Sequence, residues 1–256
     1  MLHGSLMHRV LEFFWRETVS LEAFLQLDEE QVNDRLHRHI EQALDEERGL
    51  KFRPEFRGVE SRRLLRMARK SLERDASRGA FEVVGFEQEV LHEICGQSIR
   101  LIVDRIDRLP DGGLAIIDYK TGKVNPAKWF GDRPEEPQLP LYAVSAETPP
   151  DAVVFAVLRD DDCVYRGVVR TEGLFPDLPP RRTKSTEYLV DAGQHMPGTI
   201  AEWKEVLHRL MADFLAGQAA VDPKDGIKTC GDSYCELQSL CRVGELDYLR
   251  EREDLS

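Results

Sequence analysis

The sequence predicts an α/β fold in which helices flank a central mixed β-sheet that contains an antiparallel meander. Two observations predict this class: the order of helical and strand-like segments, and the turn signals between consecutive apolar runs. A third concerns size, because 41% of the 256 residues are hydrophobic, enough to bury one large core or two small ones. The chain has no apolar run of about eighteen residues and no secretory signal pattern. We therefore expect no membrane segment and a cytoplasmic protein.

The first part of the chain is predicted to be helical. Apolar residues recur there at helical spacing, and Gly79 is a suitable stop for the last helix. The three predicted helices cover residues 6–24, 29–48 and 59–78. Three strand-like runs follow, separated by the turn signals at residues 95–98 (CGQS) and 110–113 (PDGG). The predicted strands cover residues 81–94, 99–109 and 114–119.

The remainder of the chain alternates again between helix and strand. Residues 134–140 are a predicted loop, and a helix begins near Leu141. Two more strands are predicted at residues 153–158 and 163–169, and a helix at residues 199–215. We expect a single domain over residues 1–256, made of a helical part (1–80), an α/β core (81–220) and a cysteine-bearing tail (221–256).

The formal net charge of −12 reflects 35 Lys and Arg against 47 Asp and Glu. This balance excludes a simple DNA-coating protein, but it permits a nucleic-acid enzyme with a local basic groove. Acids that bind a metal also add to the negative total. Five cysteines, three of them close to the C-terminus, do not resemble an extracellular disulfide framework. The sequence has no phosphate-binding loop of the ATPase type, so we expect no ATP motor here.

The segment at residues 116–122 (IIDYKTG) ends an apolar strand with an acid and a lysine two residues apart. If the preceding turn is centred on Asp111, Asp104 lies opposite Asp118, and Lys120 shares their face of the sheet. Asp107 would lie opposite Ala115, near the turn, so Asp104 is preferred over it as the partner of Asp118. Two close carboxylates repel each other unless a cation lies between them, and Mg²⁺ prefers carboxylates together with phosphate oxygens. A cross-strand salt bridge in a solvated hairpin is the alternative.

The neighbouring strand carries two further acids, Glu87 and Glu89. With its turn centred between Gly96 and Gln97, Glu89 falls opposite Asp104 and is the predicted supporting acid. Solvated edge charges are the alternative for both glutamates.

Asp104 followed by residues 116–120 (IIDYK) resembles the PD-(D/E)XK nuclease superfamily, and more narrowly its RecB/AddB-like branch, which repairs DNA breaks and processes DNA ends. Residues 101–107 (LIVDRID) match a strand motif of this branch, except that Leu101 replaces a glycine. The resemblance implies a restriction-endonuclease-like core and a Mg²⁺- or Mn²⁺-dependent deoxyribonuclease, with an exonuclease acting on DNA ends as the expected type. The implied metal ligands are His8, Asp104, Asp118 and the carbonyl of Tyr119, with Lys120 as the catalytic lysine.

Two other segments extend the resemblance. Residues 4–12 (GSLMHRVLE) are similar to the family's first helix, whose histidine joins the metal site; this is His8 here. A packed or exposed histidine is the alternative. Residues 138–142 (QLPLY) resemble a glutamine–tyrosine motif that supports the site and approaches DNA. Gln138 and Tyr142 are four residues apart and would share a helix face. The alternative is a loop glutamine and a core tyrosine.

The tail cysteines Cys230, Cys235 and Cys241 resemble those of the iron–sulfur members, in which a fourth cysteine lies upstream of the first nuclease helix. Since no cysteine precedes His8, we expect a [4Fe–4S] cluster in a longer protein and none or a labile one on this chain. Reduced thiols without metal are the alternative. We expect packing of residues such as Leu237, Leu240 and Val243 to hold the tail.

The resemblance also implies partners and a second possible function. It is typical of the C-terminal nuclease domain of an AddB-like repair protein, so the chain is expected to be a fragment. The implied partners are single-stranded DNA ends and a helicase subunit or an upstream helicase-like region. A catalytically silent module that binds DNA ends or a partner is the alternative function.

Overall fold

The computed structural model of the protein describes residues 2–47, 54–159, 163–179, 181, 183–232, 235–241, 243 and 245. The chain divides into two compact units, residues 1–207 and 208–256. The predicted organisation as one nuclease domain with boundaries after residues 80 and 220 is not decided by this division and stays a prediction.

The first unit opens with four helices: α1 (Leu2–Thr18), α2 (Leu21–Leu25), α3 (Glu29–Glu46) and α4 (Pro54–Ala76). The single helix predicted over residues 6–24 is interrupted at Val19, whose φ of 66° lies in the left-handed region. Ser20 then starts α2, because its Oγ accepts a hydrogen bond from the Ala23 amide at 3.2 Å. Asp28 caps α3 in a reciprocal capping box with Gln31.

A five-stranded sheet follows, with the strands in sequence order from edge to edge. The strands are β1 (Glu82–Ile94), β2 (Gln97–Arg108), β3 (Leu114–Lys120), β4 (Ala152–Leu158) and β5 (Cys163–Val169). Neighbours are antiparallel except β3 and β4, which are parallel and are joined through a 3₁₀ helix (Pro126–Trp129) and α5 (Gln138–Ser145). The predicted α/β class, with a mixed sheet and an antiparallel meander, is confirmed.

The register predicted between β2 and β3 is the observed one. Asp107 pairs with Ala115, and the last paired residues are Arg105 and Ile117. Asp104 and Asp118 follow next on their strands, so the turn at residues 110–113 does bring the two acids to the same level of the sheet.

The register predicted between β1 and β2 is wrong. The turn consists of Cys95 and Gly96 alone, with φ angles of 51° and 75°, as a tight two-residue hairpin turn requires. Glu89 therefore pairs with Ile102. Phe86 pairs with Arg105 and Gln88 with Val103, so Glu87, which lies between them, falls opposite Asp104. The observed register differs from the predicted one by two residues, so the same face of β1 points towards the acids, but Glu87 takes the place predicted for Glu89.

The later helices differ from prediction at their starts. Helix α5 begins at Gln138 and therefore contains Pro140 in its first turn. Proline is tolerated there because the N–H groups of the first turn have no acceptor within the helix, so the missing N–H of proline costs no hydrogen bond. Helix α6 (Glu187–Gln194) was not predicted, and α7 (Met196–Leu215) begins a few residues earlier than expected.

The sheet is covered on both faces. On one face, α1, α3 and α4 pack a large apolar cluster that includes Phe14, Trp15 and Tyr119. On the other, Trp129 and Trp203 pack with Phe155 of β4 in a second cluster that also includes residues of α5 and α6. Each large apolar side chain buried in this way contributes on the order of 1.5–3 kcal/mol. These two layers fix α1 and α5 against the end of β3, where the candidate site lies.

The second unit contains the end of α7 and two short helices, α8 (Ile227–Asp232) and α9 (Gln238–Cys241). The packing predicted for its apolar residues is partly wrong, because Leu237 and Leu240 are 61% and 78% exposed, whereas Val243 is buried. Throughout the ranges described, every helix is too short or too polar to span a bilayer.

Candidate active site

His8 lies on α1, at the edge of the buried face formed by Met7, Val10 and Leu11, and is itself half-buried. Its Nδ1 lies 3.4 Å from Oδ2 of Asp104, and its ring also hydrogen-bonds to the Tyr119 backbone. Burial lowers the pKa of His8, against the opposing effect of the nearby carboxylates. A neutral imidazole at neutral pH is the form that can bind a metal.

Asp104 lies where β2 and β3 separate, one residue beyond their last pair. Its Oδ2 accepts a hydrogen bond from the Tyr119 amide at 2.8 Å. Burial nevertheless raises the pKa of Asp104 to about 6, because that hydrogen bond and the Lys120 charge only partly compensate the lost hydration.

Asp118 is only 1% exposed, and none of the described residues donates a hydrogen bond to either of its carboxylate oxygens. Lys120 Nζ lies 2.7 Å from Oδ2, at ion-pair distance. Burial and the neighbouring charge of Asp104 raise the pKa of Asp118 to about 6. One ammonium group beside two buried acids leaves an excess of negative charge, which a divalent cation would compensate.

Lys120 is held by a chain of hydrogen bonds from α5. Its Nζ donates to Gln138 Oε1 at 3.1 Å, and Gln138 Nε2 donates to Tyr142 Oη at 2.6 Å. Tyr142 in turn donates to the carbonyl oxygen of Ile102 on β2. The predicted glutamine and tyrosine therefore do lie together on one face of a helix, where they connect the lysine to the strand that carries Asp104.

Glu87, which the sequence analysis named but passed over in favour of Glu89, lies at the candidate site. One ligand atom each from Glu87, His8 and Asp104 lie within 4.8 Å of one another. Glu87 has a φ of 42° inside a strand, and such outliers are concentrated at functional sites. Partial desolvation and the Asp104 charge raise its pKa. A two-residue turn at Cys95 and Gly96 would have been the signal, since it sets Glu87 opposite Asp104.

Glu89, the predicted supporting acid, is paired elsewhere. Its carboxylate lies 3.0 Å from Nε of Arg100, and both side chains are more than half exposed. Its predicted role stays a prediction that this geometry does not favour.

A cleft of about 720 Å³ opens between α1 and α5, with β1 and β2 as its floor. The side chains that line it are Ser5, His8, Arg9, Glu12, Glu87, Arg100, Ile102, Asp104, Gln138 and Tyr142. It therefore joins the predicted histidine, the first acid and the glutamine–tyrosine pair in one concave surface of the size typical of ligand sites.

The donor set fits a hard divalent cation. Ligand atoms of His8 and Glu87 converge on Asp104 from two other elements. Asp118 is not in that group of three, but the charge of Asp104 acts on it. Mg²⁺ and Mn²⁺ accept carboxylates, carbonyl oxygens and, for Mn²⁺ more readily, an imidazole.

The tail cysteines belong to the second unit. Cys230 is buried, and Cys235 and Cys241 are half-buried. In the part of the chain that the structure describes, the ligand atoms of these three residues do not gather within 4.8 Å of one another as those of His8, Glu87 and Asp104 do. Three thiols also fall short of the four ligands that an iron–sulfur cluster normally takes.

Comparison with known proteins agrees with this geometry. A search of curated proteins gives no match to the chain. A protein-family profile, that of the PD-(D/E)XK nuclease superfamily, matches residues 2–242. The matched region contains the histidine, both aspartates, the lysine and the glutamine–tyrosine pair, and members of this superfamily are generally metal-dependent nucleases that act on DNA. The chain belongs to the PD-(D/E)XK nuclease superfamily.

Proposed function

We propose that this chain is a Mg²⁺- or Mn²⁺-dependent deoxyribonuclease that hydrolyses phosphodiesters at single-stranded DNA ends. The observation that carries the proposal is the pair of buried acids Asp104 and Asp118, which share one nearby ammonium group, that of Lys120. Such an arrangement is costly in an empty fold and becomes favourable when a cation binds. The cleft beside it opens to solvent and can admit a DNA strand.

His8, Glu87, Asp104 and Asp118 would hold the metal, together with the backbone carbonyl of Tyr119. A bound divalent ion neutralises charge on the scissile phosphate and lowers the pKa of water. The Tyr119 amide keeps Asp104 in position through the 2.8 Å hydrogen bond, and burial keeps His8 unprotonated.

Lys120 would position the attacking water and stabilise the negative charge that develops on the phosphate. The Lys120 side chain is about one-third exposed, so it can reach a substrate, and Gln138 fixes its direction. A divalent ion bound to Asp118 would replace the ammonium as the partner of that carboxylate, which would allow Lys120 to turn to the phosphate.

Arg9 and Arg100 would bind the phosphates on either side of the scissile bond. Both line the cleft, and each is paired with a glutamate, Glu46 at 3.4 Å and Glu89 at 3.0 Å. Exposed pairs of this kind contribute only about 0–1 kcal/mol, so DNA can replace the glutamates.

We also propose a biological role, a partner and a second cofactor. The resemblance to the RecB/AddB-like branch supports a role in DNA repair, with DNA ends supplied by a helicase subunit or a helicase-like region. It also supports an iron–sulfur cluster in which Cys230, Cys235 and Cys241 take part, and no step of the reaction depends on it. On this chain, which has no cysteine before His8, we expect no cluster or a labile one, as iron and sulfide analysis of anaerobically purified protein would show. A stable cluster of four irons per chain would mean that the fourth ligand was misassigned.

Digestion of labelled single-stranded DNA with Mg²⁺ or Mn²⁺ tests the nuclease directly. Wild type should degrade it and Lys120→Ala should not. Lys204→Ala is the matched control, because Lys204 is exposed on α7 and is not among the residues that line the cleft. If wild type binds DNA but leaves it intact with both ions, the chain is a silent binding module instead.

A further inference from the structure

Behind the candidate site, on the face of the sheet that packs against α1 and α4, lies a buried group of charged and phenolic side chains that we call the buried arginine cluster. Its members are Asp75, Arg78, Arg105, Asp107, Tyr119 and Tyr165. Arg105 Nε contacts Asp107 at 2.6 Å, and its Nη1 contacts Asp75 at 3.0 Å. Two guanidinium groups and two carboxylates balance in charge, which allows them to be buried together.

The cluster reaches the candidate site through Tyr119. Its hydroxyl accepts a hydrogen bond from Arg105 Nη1 at 3.1 Å. The peptide groups of the same residue face the site: the amide donates to Asp104, and the backbone also hydrogen-bonds to the His8 ring. Tyr119 therefore connects the buried cluster to the groups that would hold the metal.

The position of this contact in the sheet gives it a mechanical role. Backbone pairing between β2 and β3 ends at Arg105 and Ile117, so Asp104 and Asp118 lie where the strands are no longer held by the ladder. The contact from Arg105 to Tyr119 runs diagonally past that last pair. This contact and the hydrogen bond from the Tyr119 amide to Asp104 connect β2 to β3 at the point where their backbone pairing ends.

We propose that Arg105 and the Tyr119 hydroxyl are positioning groups that hold Asp104 and Asp118 at the separation a divalent ion requires. The inference rests on the proposed function, since it needs an ion at that site. Neither side chain would touch the ion or the DNA; both act through the backbone of Tyr119. A merely stabilising contact would alter the free energy of unfolding without altering the ion affinity of the folded protein.

Tyr165 offers a matched control. Its hydroxyl donates to Asp75 Oδ1 at 2.7 Å, so it belongs to the same cluster and is equally buried. It lies on β5, in register with Ala156 of β4, which is in register with Tyr119. Tyr119→Phe and Tyr165→Phe each remove one hydroxyl from the cluster and leave the ring in place, but only the first residue borders the site.

The test is the affinity for Mn²⁺ alone, measured at neutral pH from the EPR signal of the free ion, on variants shown to be folded by circular dichroism. Tyr119→Phe should weaken binding on the order of tenfold, as loss of a partner behind a ligand typically does. Tyr165→Phe should remain within about twofold of wild type. Arg105→Lys, which keeps the charge but loses the planar fork, should weaken binding like Tyr119→Phe.

The outcomes separate the two proposals. Equal affinity in wild type, Tyr119→Phe and Arg105→Lys would overturn the positioning inference and leave the nuclease proposal standing. So would an equal loss in Tyr119→Phe and Tyr165→Phe, because it would show a general effect of the cluster. If wild type itself binds no Mn²⁺ at millimolar concentrations, the proposed function fails and this inference fails with it.

Discussion

Replacing Asp118 with asparagine should make the metal-free protein more stable while abolishing cleavage. Asp118 is 1% exposed and its oxygens have no hydrogen-bond donor among the described residues. Its pKa is raised from 3.8 to about 6 by burial and by Asp104. A carboxyl with a raised pKa favours folding only while it is protonated, so the benefit is lost as the pH rises through the folded pKa. Above that pH the folded protein contains an unfavourable charge.

The size of the effect follows from the shift. A change of about two pKa units corresponds to roughly 3 kcal/mol of lost stability at pH 8, part of it shared with Asp104. Asparagine removes the charge and keeps the shape. Its amide nitrogen, however, can remain without an acceptor, which costs about 1 kcal/mol or more. We therefore expect Asp118→Asn to be more stable by about 1–2 kcal/mol, or a Tm increase of a few degrees for a chain of this size.

Thermal unfolding in EDTA at a series of pH values measures this, with Asp213→Asn as an exposed control on α7. The gain should be largest near pH 8 and shrink towards pH 4, where Asp118 of the wild type is protonated too. Added Mn²⁺ should raise the Tm of wild type and not that of Asp118→Asn, because only the former binds the ion well. A variant that is less stable than wild type in EDTA at pH 8, or that still cleaves DNA within a few-fold of wild type, would refute the reasoning.

Three further predictions concern other residues. His8→Ala should lose less nuclease activity than Asp118→Asn and be partly restored by excess Mn²⁺, because a neutral ligand contributes less to binding than a carboxylate; equal losses without rescue in digestion assays would contradict this order. Glu87→Gln should weaken Mn²⁺ binding by several-fold in titrations, since a carboxylate ligand is lost, whereas Glu89→Gln should not. Weaker binding in Glu89→Gln and unchanged binding in Glu87→Gln would favour Glu89 as the ligand. Burial alone would raise the pKa of Asp75, but two buried arginines hold it below the ordinary value. Asp75 therefore stabilises the fold above the unfolded pKa, and this is lost as the pH falls through the folded pKa. Asp75→Asn should cost about 3–5 kcal/mol in chemical unfolding at neutral pH, and a loss below about 1 kcal/mol would show that the cluster tolerates the imbalance.

The fold class and the pairing of the two acids were accessible from sequence because they depend on short-range rules. The turn at residues 110–113 and the alternation along β2 and β3 are enough to set Asp107 opposite Ala115. The β1–β2 register was not accessible, because it depends on a non-glycine residue, Cys95, adopting a positive φ.

The buried cluster illustrates a different limit. Arg105 and Asp107 are polar residues in a hairpin, which a sequence pattern assigns to solvent. They are buried because Asp75 of α4 pairs with Arg105, thirty positions later in the chain, and Arg78 pairs with Asp107. No local pattern encodes such a contact, and the same is true of the hydrogen bond that joins Tyr142 to Ile102.

The turn at Cys95 and Gly96 also determines which side chain can serve as a ligand. With two residues in the turn, Glu87 faces Asp104; with three, Gln88 would take that place and the strand would present its other face; with four, Glu89 would. The number of residues in this turn therefore decides whether an acid or an amide faces Asp104, although the turn lies at the other end of the hairpin. A register one residue longer would also turn buried residues of β1 such as Val83 towards the opposite face of the sheet, so the packing of the core holds the turn at two residues.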